Sequence, residues 1–368
     1  MRTAALRAVK PFSSRKYSCV RWRIPENSAL RQVLPYEIAE FIRPDIPALV
    51  LAPMDGITDA PMRALQGALG GFSYAVTEFL RVSVSSLPAS VFRKAAPELS
   101  NNGFTPTGLP VQIQILGGDP GRMALSAQAA VRAGAGGIDI NFGCPAPTVN
   151  RHDGGASLLR EPCRIREIVA AVRDAVPLEI PVSAKLRLGW NSIDAIHENA
   201  AMAAEGGASW LTIHARTKLQ GYAPPVYWKP IGQVRRNLNI PIVANGDIWS
   251  IADFRQCQDE TGCIHFMIGR SALACPGLPL QIAAELGLGE SRPAKDWDEL
   301  LHGLVEWSTY YGQTSPKYTV RRLKQWLKLA SNFGDFPYFD AVKESETPEE
   351  LFQRLASASS VDRLLERA

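Results

Sequence analysis

Eight short apolar runs recur along the chain, each stopped by polar or glycine-bearing residues. They are ALVLAP from Ala48, SYAVTEF from Ser73, VQIQIL from Val111, GIDINF from Gly137, PVSAKLRL from Pro181, WLTIHA from Trp210, PIVANG from Pro241 and HFMIGR from His265. The stretches between them place apolar residues at helical spacing. Residues 119–133 open on Asp-Pro, 162–175 keep the 3.6-residue period, and 194–205 end at Gly206-Gly207. Strand-sized runs alternating with helix-sized stretches predict an α/β chain, and eight such units predict a (β/α)8 TIM barrel over 46–290. A doubly wound open sheet is the second reading. From about Arg292 the strand-like runs stop. WDELLHGLVEWSTYY and YTVRRLKQWLKLA carry apolar residues at i, i+3, i+4 and i+7, which predicts a small helical domain over 291–368.

Composition narrows the class. With 46% hydrophobic residues in 368, the chain can bury a large core, and no apolar run approaches the roughly 20 residues of a membrane span. A net charge of +4 says little about partners, but its distribution says more. Seven Lys or Arg and no acid lie before Glu26, and Lys317–Lys328 holds five basic residues and no acid. The first 45 residues read as a flexible basic extension, with an organellar transit peptide or an upstream start as the other readings. The six cysteines form no CxxC pair and meet no histidine cluster, so neither disulfides nor a metal site is expected. A cytoplasmic monomer is the expectation, organellar targeting by the extension aside.

In a barrel of this kind chemistry gathers where the strands end. The eight ends deliver Pro53-Met54-Asp55, Glu78, Gln114, Asn141, Lys185 with Arg187, His214 with Arg216, Asn245-Gly246-Asp247 and Gly269-Arg270. Lys185 and His214 suit an electron-rich ring, and Gln114 and Asn141 suit amide-like edges. The NGD turn with the following GR suits a phosphate, at the position barrels often use for one. Flavin mononucleotide meets all three demands.

Cys144 follows Asn141 by three residues in a Gly-Cys-Pro turn, a setting that a buried structural cysteine does not need. A thiol is mostly protonated near neutrality and can act as a general acid. Cys163, Cys257, Cys263 and Cys275 read as inert.

Taken together these residues resemble the tRNA-dihydrouridine synthases. LAPMDGITD is similar to that family's first flavin motif and DINFGCPAPTVNRHDGGASLL to its cysteine loop; SAKLRLGW, IHARTKLQGY, PIVANGDI and MIGRSAL follow in the family's order. The resemblance spans about Ala48 to Leu329. It implies reduction of a tRNA uridine, with NADPH as reductant, hydride passing from reduced FMN to uracil C6 and a proton from Cys144 to C5. It implies flavin contacts at Pro53, Met54, Asp55, Gln114, Lys185, His214, Asn245, Gly246, Asp247, Gly269 and Arg270, and uracil contacts at Asn141, Arg187 and Tyr222. TEFLRV, RTKLQGY and RRLKQWL are most similar to the bacterial class that acts on uridine 16 of the D-loop.

Arg321, Arg322, Lys324 and Lys328, beside a Trp326 read as exposed, are the expected contacts to the tRNA backbone. Two other readings stay open: a flavin barrel that reduces a free pyrimidine or another small enone, and a flavin-free RNA-binding barrel.

Overall fold

The computed structural model describes residues 41–151 and 154–365, with side chains as far as Ser360. The basic extension up to residue 40, and Cys19 within it, lie outside the described residues.

Eight of the nine strands close a parallel ring. They are β1 (Ala48–Leu51), β2 (Tyr74–Val76), β4 (Val111–Leu116), β5 (Ile138–Asn141), β6 (Val182–Arg187), β7 (Leu211–His214), β8 (Ile242–Asn245) and β9 (His265–Ile268), with β3 (Leu80–Arg81) as a short addition. Each pairs with its neighbour, and β1 pairs with both β2 and β9, so the sheet has no free edge. The expected TIM barrel is therefore the observed fold, and the open sheet is excluded.

The run from Ser73 departs from its expected single strand. The ladder breaks at residues 77–79, where the Thr77 hydroxyl takes up the Gln114 backbone N–H at 3.0 Å, and pairing resumes as β3 along β4. Residue 78 thus leaves the ladder at the barrel rim.

The three expected helices form at Pro120–Arg132, Pro162–Ala175 and Ala195–Glu205. Asp119 caps the first by accepting from the Arg122 N–H, a contact worth about 1 kcal/mol.

The barrel interior divides by polarity. Val50, Ala52, Tyr74, Val76, Trp210, Val243 and Met267 form an apolar cluster that Phe41 joins, edge-on to Tyr74 at 5.1 Å. On the side of β4 to β6 the interior is a hydrogen-bonded set, Gln112, Gln114, Asp139 and Ser183, all buried.

Beyond the barrel lie helices Trp297–Tyr310, Pro316–Phe333, Phe339–Val342 and Pro348–Leu365. Trp297 packs edge-on against Trp326 and Phe336, and the Trp326 indole N–H donates to the Leu273 carbonyl at 2.8 Å. Trp326 is thus buried against the barrel and not exposed as its sequence context suggested. Helix Pro316–Phe333 buries Thr319, Val320, Arg322, Leu323, Trp326, Leu327 and Ala330, a helical stripe that includes position 322. Among the described residues no helix is long and apolar enough to cross a membrane.

Candidate active site

One cavity of about 370 Å³ opens at the C-terminal ends of the strands, within the size range of small-molecule sites. It is lined by every residue expected to touch flavin or uracil, together with Cys144. The four C-terminal basic residues lie elsewhere.

Asn141 ends β5 and builds the turn that presents the thiol. Its Oδ1 accepts from the N–H groups of both Gly143 and Cys144, each at 2.9 Å, and its Nδ2 donates to Gln114 Oε1 at 2.8 Å. Gly155 passes behind this turn at φ +60°, where a Cβ would come within 3.1 Å of the Cys144 Cβ. The thiol is partly buried, and burial, reinforced by Asp55, raises its pKa from the ordinary value, so it stays protonated.

Under Gln114 lies Asp139, which sequence reasoning missed. It accepts from Gln114 Nε2 at 2.7 Å and from the Ser183 hydroxyl, and burial raises its pKa although both hydrogen bonds work against the rise. The signal was present: Asp139 is a carboxylate in an apolar run, two residues before Asn141 and so on the same strand face.

On β6, Lys185 Nζ donates to Asn245 Oδ1 at 2.8 Å, while Asn245 Nδ2 donates to the Met267 carbonyl. Burial, with Arg187 adding repulsion, pushes the Lys185 ammonium down to about 8. Arg187, on the same face, donates to the carbonyls of Gly143, Thr217 and Gly221 and lies over the Tyr222 ring at 5.2 Å. It joins the cysteine turn to the loop after β7, a framework role beyond the expected uracil contact. His214 is buried and its Nδ1 has no partner; burial and the cations Arg187 and Lys185 hold it neutral, well below the usual imidazole range.

At the ends of β8 and β9, Asp247 sits at φ +46° and pairs with both Arg216 and Arg270, the latter at 2.9 Å. Gly246 is forced by proximity, since a Cβ there would lie 3.1 Å from the Ala215 nitrogen and 3.3 Å from the His214 ring. Arg270 is ringed by Tyr222 at 4.6 Å and by Trp249 and Phe333 at 5.3 Å each. Phe333 ends helix Pro316–Phe333, and Leu329 of the same helix lines the cavity. Trp249, Leu329 and Phe333 were not anticipated, because no strand-end pattern marks them.

Two of the expected tRNA contacts are engaged internally. Arg322 is buried and donates to the carbonyls of Gly56 and Ile57 and to Asp59; Lys324 Nζ donates to the Ser345 carbonyl at 2.8 Å. Arg322 is therefore withdrawn as a backbone contact: it shares the buried stripe with Trp326, four residues on. Arg321 and Lys328 are exposed.

The fold and site define a parallel α/β barrel with a partly buried cysteine thiol lining a cation-rich cavity. Residues 50–360 match the family model for dihydrouridine synthases (Dus), and the chain belongs to that family. It is 42% identical over 313 residues to the tRNA-dihydrouridine(16) synthase of Aquipseudomonas alcaligenes, covering 84% of this chain and 98% of that protein. The proteins of the same name from Shewanella oneidensis and Haemophilus influenzae are each 41% identical. They match 84% and 83% of this chain, and 98% of their own length in both cases. Among solved structures, histamine dehydrogenase from Rhizobium sp. 4-9 shares the fold, with a TM-score of 0.51 at 14% identity. That match takes in 73% of this chain, which spans about half (51%) of the longer enzyme.

Proposed function

We propose that this chain reduces uridine to 5,6-dihydrouridine in the D-loop of tRNA, at position 16, with FMN as resident cofactor and NADPH as reductant. The observation that carries the reading is the Cys144 turn, its backbone N–H held by Asn141 Oδ1, placed on a cavity also lined by Lys185 and His214. Family membership and the names of the relatives support the reaction and the position.

The residues fit a flavin mononucleotide. His214 Nδ1 is a buried polar atom without a partner, and Arg270 offers a guanidinium beside the NGD turn. Lys185, Gln114 and Asn245 would hold the ring system; Arg270 with Gly246, Asp247 and Gly269 would hold the phosphate. When bound, the reduced flavin supplies the hydride that uracil C6 accepts, which no side chain can provide.

Cys144 keeps a proton on Sγ and gives it to C5, and solvent returns one to the thiolate. NADPH supplies the two electrons, so uracil gains one hydride and one proton. Asn141 and Tyr222 orient the base, and Arg187 holds together the loops that carry the thiol and Tyr222. A base that reaches this cavity must leave its stack, which a loop nucleotide does at low cost. The helices of 291–368 grip the backbone through Arg321 and Lys328. The protein acts where tRNA is processed, in the cytoplasm.

The test is mass mapping after incubating the purified protein with FMN, NADPH and unmodified tRNA. Dihydrouridine at position 16 is expected. Absence of product, or equal turnover of free uridine, would overturn the proposal.

A further inference from the structure

A second cavity, of about 470 Å³, adjoins the first. Asp55 and Ile57 line the active-site cavity while Gly56 and Asp59 line the second, so one loop separates them. Its other walls are Glu78, at the break in the ladder, and Tyr318, Arg321, Arg322 and Gln325 from helix Pro316–Phe333.

Most polar groups here are spent on one another. Arg322 serves the loop carbonyls and Asp59, and Asp59 also accepts from the Met62 N–H and the Tyr318 hydroxyl. Three groups remain. Glu78 accepts from the Ile57 N–H through Oε1 at 3.1 Å, with the Gly56 N–H also against the carboxylate, and its two oxygens keep lone pairs for further donors. Gln325 gives its carbonyl oxygen to Arg322, leaving its amide N–H groups. Arg321 has no ion pair among the described residues, and its guanidinium lies over the Tyr318 ring at 5.4 Å. The unspent set is an anionic acceptor, a neutral donor and a flat cation–aromatic pair. Two carboxylates disfavour a phosphate, whereas a planar heterocycle with donors beside an acceptor fits.

We propose that this cavity binds a guanine of the RNA substrate, distinct from the reduced uracil, with Glu78 accepting from N1–H and the 2-amino group. Gln325 donates to O6, and the Arg321–Tyr318 pair supplies the stacking face. Guanine is the one common base that offers a carboxylate two adjacent donors. Glu78 thus becomes a specificity-determining residue, an inference that rests on the tRNA reading above.

The test uses the flavin-loaded enzyme, tRNA transcripts in which each D-loop guanosine is replaced in turn by inosine, and the Glu78→Gln variant. Inosine lacks only the 2-amino group, and glutamine keeps an oxygen for the Ile57 N–H. Both dihydrouridine formation and direct binding are measured. Wild type should lose about tenfold in KM at one inosine position with kcat within about twofold, the effect of a lost hydrogen bond to a charged acceptor. Glu78→Gln should retain flavin absorbance, show a similar KM rise on the parent tRNA, and lose nothing further at that inosine. If no inosine matters, or the variant matches wild type on every transcript, the guanine site is wrong while the tRNA reading stands. If wild type neither binds nor reduces any transcript, both fall.

Discussion

Replacing Arg322 by alanine separates a structural cation from an RNA-binding one. In the structure its Nη1 donates to the Gly56 carbonyl at 2.7 Å, and its Nη2 donates to Ile57 O at 2.6 Å and Asp59 Oδ1 at 3.0 Å. The pair is well buried, with 7% of the Arg322 and 17% of the Asp59 side chain exposed. Removing one partner of a buried pair costs about 3–5 kcal/mol. Asp59 keeps the Met62 N–H and the Tyr318 hydroxyl, which points to the lower end, about 3 kcal/mol. For the 332 residues of the compact unit Glu37–Ala368, an unfolding entropy of about 2.1 cal/mol/K per residue turns this into roughly 4 °C of melting temperature. The assay is thermal melting at matched flavin occupancy, beside tRNA binding across a salt series. Arg322→Ala should melt earlier with its salt slope unchanged, whereas Arg321→Ala with Lys328→Ala should flatten the slope by about 0.7–0.9 per phosphate contact and melt normally. A variant at 322 that melts like wild type yet flattens the slope would refute this account.

Cys144→Ala should retain flavin and slow uridine reduction by about 100- to 10,000-fold, as loss of a general acid does; near-wild-type turnover would remove the thiol from the mechanism. Arg270→Ala should weaken FMN binding by about 10- to 100-fold in a titration, and unchanged retention would misplace the phosphate. Lys185→Met probes pH: the folded ammonium titrates near 8 and the unfolded one near 10.4, so below pH 8 the penalty of burying the charge is fully present. Between those values the unfolded chain binds more protons, so stability rises with pH. In cofactor-free protein, wild type should therefore gain about 1–3 kcal/mol on Lys185→Met from pH 8 to 10, and a flat difference in denaturant melts would contradict the burial.

The eight ring strands were legible because each is an apolar run bounded by turn residues, and Pro162–Ala175 because its proline and period mark both ends. The break at 77–79 was not, since Thr77 reads as an ordinary strand residue until its hydroxyl is seen replacing a ladder acceptor. Residues on the strand ends were found by position alone. What stayed hidden came from outside that register: Asp139 one layer down, and Leu329 and Phe333 delivered by a helix that begins nearly fifty residues past the last strand. The basic run misled because sequence adjacency mixes faces, so Arg321 faces solvent while Arg322 points into the barrel's first loop.

This last placement bears on how far chemistry and grip can be parted. Arg216 and Arg270 share the single carboxylate of Asp247, while Lys185 donates to the Asn245 amide oxygen and Arg187 to backbone carbonyls, with no ion pair for either among the described residues. The mouth thus carries more cations than anions, the balance an anionic cofactor would complete. Arg270 is also walled by Phe333, which stacks on Trp249 at 5.2 Å, so the helix presenting Arg321 and Lys328 to solvent covers the Arg270 guanidinium with its last turn. Neutralising Arg321 and Lys328 leaves that wall standing. Removing the helix would open Arg270 to water, strip Arg322 from the loop carrying Asp55, and take Leu329 out of the cavity. The C-terminal helices are therefore part of the cavity's enclosure, and a truncated barrel should lose the proposed flavin site as well as the proposed hold on RNA.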